Sequence, residues 1–231
     1  MENICEFRSV SKSYKKTDHV VVSQMDFGIQ AGEMVALVGP SGAGKSTVLN
    51  MLGLLEEPND GEVYLFGKKA PKIKTGRAEK LLRTRLGYLF QNFALIDNAT
   101  VEYNLTIAQR YAKGSRKKKA DQRTDVLNQL GLSSMQKRKV FELSGGEQQR
   151  LATARLLLKP CDLILADEPT GSLDERNRDT VIQQLRMLNS SGKTVVIVTH
   201  DLHVAAQCDR MIELTKQPRR GYSTDEIQSK I

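Results

Sequence analysis

The sequence predicts an α/β fold with a mostly parallel β-sheet, and three continuous apolar runs are the main evidence. Strands buried on both faces of a parallel sheet read as unbroken apolar runs rather than as alternating patterns. The runs are Met34–Val38, residues 163–166 and residues 195–198, with residues 86–90 as a weaker fourth. Helical periodicity separates them at residues 47–55, 145–158 and 175–188. Strands that alternate with helices indicate parallel pairing through right-handed crossovers.

Two further regions complete the predicted organisation. Short strands precede and follow the first apolar run, at residues 4–10, 20–29 and 62–66, with turns at Ala31-Gly32 and Asp60-Gly61. Residues from about 93 to 140 have a helical, polar and basic pattern without an apolar strand. We therefore expect one domain over residues 1–231, with an α/β core at 1–92 and 141–231 and an inserted helical lobe at 93–140.

Composition and charge limit the classes of function. The chain has 35 basic and 27 acidic residues, a formal charge of +8, and 39% hydrophobic residues. This is enough apolar material for a sizeable core, which excludes a disordered protein. The basic excess is concentrated at residues 68–74, 110–123, 136–139 and 216–220. The densest run, at 116–119, has no aromatic residues for stacking bases, so we expect a solvated helix start or loop there.

No apolar run approaches the ~20 residues that a membrane-spanning helix requires. The N-terminus also lacks the charged start and apolar stretch of a secretory signal, so a cytosolic location is expected. Cys5, Cys161 and Cys208 show no CxxC spacing. We expect small, mostly buried thiols rather than a disulfide framework or a zinc site.

A phosphate-binding loop follows the first apolar run. Residues 39–46, Gly-Pro-Ser-Gly-Ala-Gly-Lys-Ser, match GxxxxGK[ST] between a predicted buried strand and a predicted helix. The glycines let successive N–H groups surround phosphates, and the helix adds its positive N-terminal end. Lys45 supplies a charge to the β and γ oxygens, and Ser46 a hydroxyl to magnesium. The predicted nucleotide-binding residues here are Gly39, Pro40, Ser41, Gly42, Ala43, Gly44, Lys45, Ser46 and Thr47.

Two acids follow the apolar run at 163–166. Asp167 and Glu168 should therefore lie at the carboxyl edge of the sheet, where open α/β folds bind ligands. We expect Asp167 to hold magnesium, directly or through water. We expect Glu168 to orient and polarise the attacking water.

A second helix start is rich in small residues. Residues 143–150, Leu-Ser-Gly-Gly-Glu-Gln-Gln-Arg, open a helix whose first-turn N–H groups lack partners in the helix. One nucleotide has one γ-phosphate, which the loop at 39–46 already binds. This helix end is therefore predicted to contact the nucleotide of another subunit through Ser144, Gly145, Gly146 and Glu147. The alternative is an ordinary capping box of Ser144 and Glu147, and both can hold at once.

With these motifs the chain resembles the nucleotide-binding subunits of ABC transporters. Residues 143–148 are similar to the family's signature motif in its LSGGE form. Other markers occur in the family's order, over about residues 14–214. They are Tyr14 before the second strand, Gln91 after the run at 86–90, Ser172-Leu173-Asp174, and His200 after the run at 195–198.

The resemblance implies a P-loop NTPase core with an N-terminal antiparallel β subdomain and an inserted α-helical subdomain, and ATP and Mg²⁺ as cofactors. It implies that Tyr14 stacks on adenine and that His200 contacts the γ-phosphate. It implies that Gln91 contacts magnesium and water, and that Asp174 belongs to a loop crossing the dimer seam. The implied catalytic residues are Lys45, Gln91, Glu168 and His200, and the implied metal ligands are Ser46, Gln91 and Asp167.

The resemblance also implies an ATPase that dimerises around two MgATP molecules, as a homodimer, and drives permease subunits on separate chains. It would then be peripheral on the inner face of the cell membrane. Residues 143–150 and 166–174 are most similar to the macrolide-export and lipoprotein-release branch, which includes bacteriocin exporters. Export or extraction of a peptide, antibiotic or lipophilic substrate is therefore expected. An importer of polar amino acids remains an alternative, as does a sensing transporter.

A nucleic-acid function within the same family is less favoured. The chromosome types place a long coiled coil between their phosphate motifs, and the translation types carry two cassettes in one chain. Here Lys45 and Asp167 are 122 residues apart (167 − 45), without sustained heptads, and the chain has one P-loop. No nucleic-acid partner is therefore expected. Residues 91–96 are instead expected to form part of a groove for a short permease helix, with Phe93 and Leu95 coupling transport to ATP hydrolysis.

Overall fold

The computed structural model describes residues 2–14, 19–90, 93–171 and 175–216. Within these residues the protein forms two β-sheets with helices packed around them. The strands are β1 (Asn3–Tyr14), β2 (His19–Gln30), β3 (Met34–Val38), β4 (Asp60–Leu65), β5 (Lys68–Lys69), β6 (Leu86–Leu89), β7 (Leu163–Asp167), β8 (Thr194–Val198) and β9 (Arg210–Glu213). The helices are α1 (Lys45–Leu52), α2 (Gly76–Thr84), α3 (Val101–Ala108), α4 (Arg116–Gln129), α5 (Gly145–Leu158), α6 (Glu175–Ser190) and α7 (Leu202–Ala206). Short 3₁₀ helices lie at Ser133–Met135 and Val140–Glu142.

The five-stranded sheet is parallel, with the order β6-β7-β8-β3-β9, and confirms the predicted fold class. Its central strands β3 and β8 are buried along their whole length. Successive residues of β3 pack into different cores, since Val35 and Leu37 pack with α1 and Met34 packs with α6. Both faces of the sheet are covered, which is why these strand sequences are unbroken apolar runs.

The four-stranded sheet, β2-β1-β4-β5, is antiparallel and contains the predicted N-terminal strands. The predicted turn at Asp60-Gly61 is wrong, because these residues begin β4. Gly61 has a φ of 78°, and a Cβ there would lie 2.3 Å from the carbonyl oxygen of Ser9. The register between β1 and β4 shifts at this point. Glycine is needed because two backbones approach closely, and not because the chain reverses.

Helices α3 and α4 occupy the segment in which the sequence predicts a helical lobe, and both pack against α5. Helix α5 has the predicted bounds and is buried on two sides. Leu151, Ala154 and Leu158 belong to a core shared with α3 and α4, whereas Ala152 and Leu156 belong to a core shared with β7 and α6. The limits of the lobe, at about 93 and 140, remain a prediction.

The basic run at 116–119 forms the first turn of α4, as expected. Residues 116–118 are exposed, whereas Lys119 is half-buried and donates to the carbonyl oxygen of Gln109 at 3.1 Å. Ser115 caps this helix by accepting a hydrogen bond from the N–H of Lys118 at 3.2 Å. The cap satisfies one of the free donors of the first turn. The densest positive charge in the sequence is therefore a solvated helix start.

Four elements were not predicted, and each has a weak sequence signal. Helix α2 fully buries only Ala78, and its two leucines, Leu81 and Leu82, are only partly buried. Strand β9 lies at the edge of its sheet and is exposed at three of its four residues. Strand β5 has two residues and α7 has five. Short or exposed elements bury few apolar side chains, so their sequences carry only a weak hydrophobic pattern from which to predict them.

Across the described ranges, no helix combines the length and the apolar character needed to cross a membrane. All three cysteines are free thiols, with Cys5 and Cys161 buried and Cys208 half-buried, as expected.

Candidate functional site

The loop between β3 and α1 has the backbone conformation that its glycines permit. Gly39, Gly42 and Gly44 have φ values of 147°, 81° and 88°. Gly44 is the N-cap of α1, and no side chain caps this helix. The N–H groups of the first turn therefore remain available to a ligand, at the end of the helix that attracts anions. A Cβ on Gly44 would lie 2.9 Å from the side chain and carbonyl oxygen of Val21, so only glycine fits.

The Lys45 ammonium lies within this loop. Its Nζ donates to the carbonyl oxygens of Gly39 at 2.7 Å and Pro40 at 3.1 Å. The residue is 9% exposed, so the charge is held close to the loop rather than in bulk solvent. A positive charge next to a concave set of backbone N–H groups is suited to a polyphosphate.

Ser46 and Asp167 meet across the end of the sheet, where β7 ends beside the start of α1. The Ser46 hydroxyl donates to Oδ1 of Asp167 at 3.3 Å. Burial raises the pKa of Asp167, and the negative charge of Glu168 adds to this, although the Ser46 hydrogen bond and Lys45 oppose the shift. A hydroxyl and a carboxylate side by side are the hard oxygen donors that Mg²⁺ prefers. The residues present therefore fit the predicted ion.

Glu168 and His200 form the second side-chain pair at this edge. His200 Nδ1 lies 2.9 Å from Oε2 of Glu168, and the His200 side chain is 69% exposed. Glu168 has a φ of 44°, in the left-handed region that a non-glycine residue rarely adopts. Its N–H donates to the carbonyl oxygen of Val198 at 2.9 Å. The carboxylate is thus held just beyond the end of β7 in a backbone conformation of the kind that concentrates at functional sites.

Tyr14 lies at the rim of the same cleft. Its hydroxyl donates to Oε2 of Glu56 at 2.6 Å and lies 3.3 Å from Oγ1 of Thr47. Burial and the Glu56 hydrogen bond raise the pKa of Tyr14. Glu56 also accepts from Nδ2 of Asn50 at 2.9 Å. Glu56 was not predicted, because it follows the phosphate loop's helix without any motif that marks it.

These residues enclose one open cleft of about 420 Å³. Eight of the predicted site residues line this cleft, together with Val21. The residues that line it are Tyr14, Val21, Ser41, Gly42, Gly44, Lys45, Ser46, Thr47 and Glu168. Gln91 and Ser172-Leu173-Asp174, which the resemblance also selects, lie outside the described residues.

The predicted second anion site does not line this cleft. Ser144 accepts from the N–H of Glu147 at 3.4 Å, and Glu147 accepts from the N–H of Ser144 at 2.7 Å. The capping box is therefore present. Ser144, Gly145 and Gly146 are exposed, and a Cβ on Gly145 would meet nothing within 4 Å. This end of α5 is open to another molecule and separate from the phosphate loop of its own chain.

An apolar groove of about 380 Å³ lies between α2, α3 and α5. Phe90, Ala94, Ile96, Ile107 and Tyr111 contribute to its lining.

Phe93 and Leu95, which the sequence selects for a permease contact, do not line this groove. They pack against the two interior cores instead. The reason is local backbone geometry, because Phe93 and Ala94 both have positive φ, at 59° and 46°. Because of this turn, Ala94 and Ile96 face the groove, whereas Phe93 and Leu95 face the interior. Arg155 of α5 holds it by donating to the carbonyl oxygens of Phe93, at 3.4 Å, and Ala94.

Comparisons with known proteins agree with this geometry. The sequence profile described as ABC transporter matches residues 22–171. The macrolide export ATP-binding/permease protein MacB of Escherichia coli is 40% identical over 216 residues, which cover 93% of this chain and 33% of that protein. MacB of Rhodopseudomonas palustris (strain BisB18) is 40% identical over 210 residues, covering 90% and 32%. The chain therefore spans about one third of the length of these relatives.

Solved structures share the fold along almost the whole chain. The dimeric structure of MJ0796, a bacterial ABC transporter cassette, has a TM-score of 0.77 at 35% identity, and covers 94% of this chain and 100% of that one. A post-hydrolysis dimer of the same cassette with ADP and Pi has a TM-score of 0.76 at 35% identity, with the same coverage. CbiO1 from Clostridium perfringens, part of the transporter complex cbiONQ, has a TM-score of 0.82 at 21% identity, and covers 100% of this chain and 92% of that one. The last match shows the fold alone.

Proposed function

The chain belongs to the ABC transporter family and is an ATPase, and from this premise we propose that it is one half of a two-subunit motor that drives a membrane permease. The observation that carries the proposal is the convergence of three features at one edge of the parallel sheet. They are the phosphate loop around Lys45, the Ser46–Asp167 pair and the Glu168–His200 pair.

In the proposed reaction, the loop N–H groups and Lys45 bind the β- and γ-phosphates of ATP. Mg²⁺ held by Ser46 and Asp167, with Gln91 as a further ligand, would neutralise charge on the phosphate oxygens. Glu168 orients and polarises the attacking water, and His200 contacts the γ-phosphate. The geometry supports this division of roles, because Oε2 of Glu168 meets His200 and Oε1 has no protein partner among the described residues. Tyr14 is proposed to stack on adenine.

The dimer is proposed to place each nucleotide between the phosphate loop of one subunit and the Ser144 helix end of the other. The N–H groups of Gly145 and Gly146 would then face the γ-phosphate, with Asp174 at the seam between subunits. Support comes from the exposure of this helix end and from its position away from its own chain's cleft. A two-fold axis makes such a contact self-complementary and closes the assembly at two sites.

Glu168→Gln tests the proposed roles. The amide cannot accept a proton from water, so we expect hydrolysis to fall at least about 100-fold while ATP binding persists. Because the γ-phosphate stays in place, the variant should form a dimer on MgATP that is stable in size-exclusion chromatography. Glu142→Gln, the same change at an exposed acid outside the cleft, should behave as the wild type. Wild-type turnover by Glu168→Gln would refute its catalytic role, and a variant that binds ATP but stays monomeric would contradict the proposed dimer.

We propose that the permease subunits are separate integral-membrane chains and that the motor is peripheral on the inner face of the cell membrane. Export or extraction of a macrolide-like, peptide or lipophilic substrate is supported by the 40% identity to macrolide export proteins. An amino-acid importer is the alternative, because the cassette itself does not contact the cargo. Identification of the multi-span protein that copurifies from native membranes distinguishes the two.

The groove between α2, α3 and α5 is proposed to receive a short permease helix. Phe90, Ile96 and Ile107 are 42% to 44% exposed there, which is unusual for large apolar side chains that share one concavity. Ile96→Glu should abolish copurification with the permease and leave basal ATPase activity unchanged. Leu202→Glu is the matched control, since Leu202 is 72% exposed and lies outside the groove. An equal loss of copurification in both variants would argue against this docking site.

A further inference from the structure

A basic cavity of about 810 Å³ lies on the opposite side of α2 from the apolar groove. It is larger than the nucleotide cleft and does not share a residue with it. Five cationic side chains line it, namely Lys68, Lys69, Arg77, Lys80 and Arg85. The proposed motor uses none of them.

The wall of the cavity opposite α2 is held in place by a tight turn and by contacts of Arg85. Phe66 and Gly67 connect β4 to β5 as a two-residue turn with φ values of 55° and 73°, the pattern of a tight hairpin. The guanidinium of Arg85 lies 3.9 Å from the centre of the Phe66 ring. Arg85 is also paired with Asp162. The aromatic ring and the β5 backbone therefore form a fixed wall opposite α2.

The charges in this cavity do not balance. Glu62 pairs with Lys69, and Asp162 pairs with Arg85. In the described part of the chain, the side chains of Lys68, Arg77 and Lys80 have no carboxylate partner. Glu79, the one acid among residues 68–80, is paired with Arg83. Three of the five cationic side chains that line the cavity are therefore in no ion pair among the described residues.

The start of α2 adds a fourth positive contribution. The helix begins at Gly76, with Thr75 as N-cap, and Arg77 of its first turn lines the cavity, so the positive N-terminal end of the helix lies close to it. Thr75 accepts only from the N–H of Ala78, at 3.4 Å, so other first-turn donors remain for a ligand.

We propose that this cavity binds a phosphate-bearing anion. Three lysine and arginine side chains, a helix N-terminus and a rigid wall match the charge and donor requirements of a phosphate group. The phosphate could belong to an anionic phospholipid headgroup or to a soluble phosphate compound.

The test uses the full chain with saturating MgADP, so that the phosphate loop is filled. The cavity variant carries Lys68→Gln, Arg77→Gln and Lys80→Gln. The control carries Arg116→Gln, Lys117→Gln and Lys118→Gln, which removes the same charge from the densest but convex basic run. One arm measures cosedimentation with vesicles of phosphatidylcholine containing phosphatidylglycerol, and the other measures calorimetric binding of glycerol 3-phosphate.

We expect the cavity variant to bind its ligand at least about tenfold more weakly than the wild type, and the control to change less than about threefold. Loss confined to the vesicle arm assigns a lipid headgroup, and loss in the glycerol 3-phosphate arm assigns a soluble phosphate. Equal weakening in both variants would mean diffuse surface charge and would overturn the proposal, as would no binding in either arm. Unchanged melting temperature and ATPase activity in the cavity variant separate these outcomes from misfolding and from failure of the motor.

Discussion

The starts of α1 and α5 are both glycine-rich, but they are built in different ways. Helix α1 has a left-handed Gly44 as its N-cap, no side-chain cap, and the Lys45 ammonium beside it. Helix α5 has a complete capping box, and the negative charge of Glu147 lies at its start. The first helix end leaves its donors for a ligand and adds a positive charge. The second satisfies part of its own donors, so it holds its shape without a ligand.

This difference separates two tasks. An uncapped helix start costs stability unless a ligand supplies the missing acceptors, which suits a site that binds a triphosphate tightly. A capped start is stable by itself, which suits a surface that is repeatedly joined to and released from a partner. The comparison predicts that changes at α1 abolish activity, whereas changes at α5 mainly affect pairing.

The largest effect is expected for Lys45→Ala. Removing the charge that meets the phosphates should lower hydrolysis at least about 100-fold. The phosphate-release rate at saturating ATP is the measurement, and an unchanged melting temperature shows that the fold persists. Substantial turnover by this variant would mean that the two helix starts do not differ in the proposed way.

An intermediate effect is expected for Ser144→Ala. Loss of the cap should cost about 1 kcal/mol of unfolding free energy, which corresponds to a melting temperature about 2–4 °C lower. In the Glu168→Gln background it should also weaken the MgATP-dependent dimer. Ser115→Ala is the matched control, because Ser115 caps α4 in the same way. If both variants weakened the dimer equally, Ser144 would have no role at the partner's nucleotide.

The smallest effect is expected for Glu147→Gln. The N–H and hydroxyl of Ser144 hold the pKa of Glu147 below its usual value. The carboxylate therefore contributes stability above the unfolded-state pKa of about 4.3, and that contribution is lost as pH falls through the folded-state pKa. The variant should melt about 1–2 °C below the wild type at pH 7, and this difference should shrink as pH falls through the folded-state pKa of Glu147. A melting-temperature difference that stays constant from pH 7 to below the folded-state pKa would show that the Glu147 charge does not stabilise this helix start.

The central sheet could be predicted from the sequence because β3, β7 and β8 are buried on both faces. Each strand therefore appears in the sequence as an unbroken run of apolar residues. The bounds of α5 could be predicted because its cap residues mark its start. The edge strand β9 and the polar helix α2 could not, because their stability comes from neighbours rather than from their own pattern.

The same limit applies to the site. Asp167 and Glu168 were expected at the carboxyl edge of the sheet because they follow a buried strand, and His200 was selected by the resemblance. The structure brings the three residues together there. The hydrogen bond between Tyr14 and Glu56 joins residues 42 positions apart, and nothing local marks it. Phe93 was selected for a permease contact, but its side chain packs against a core because Phe93 and Ala94 both have left-handed backbone conformations. Sequence spacing predicts strand ends well and turn geometry poorly.

Helix α5 is the common wall of two cores, since Leu151 packs on one side and Leu156 on the other. Neither core can open without exposing this helix, so its backbone amides should exchange with deuterium more slowly than those of α2. A slowly exchanging α5 would also mean that the region around α3 and α4 does not unfold as an independent unit.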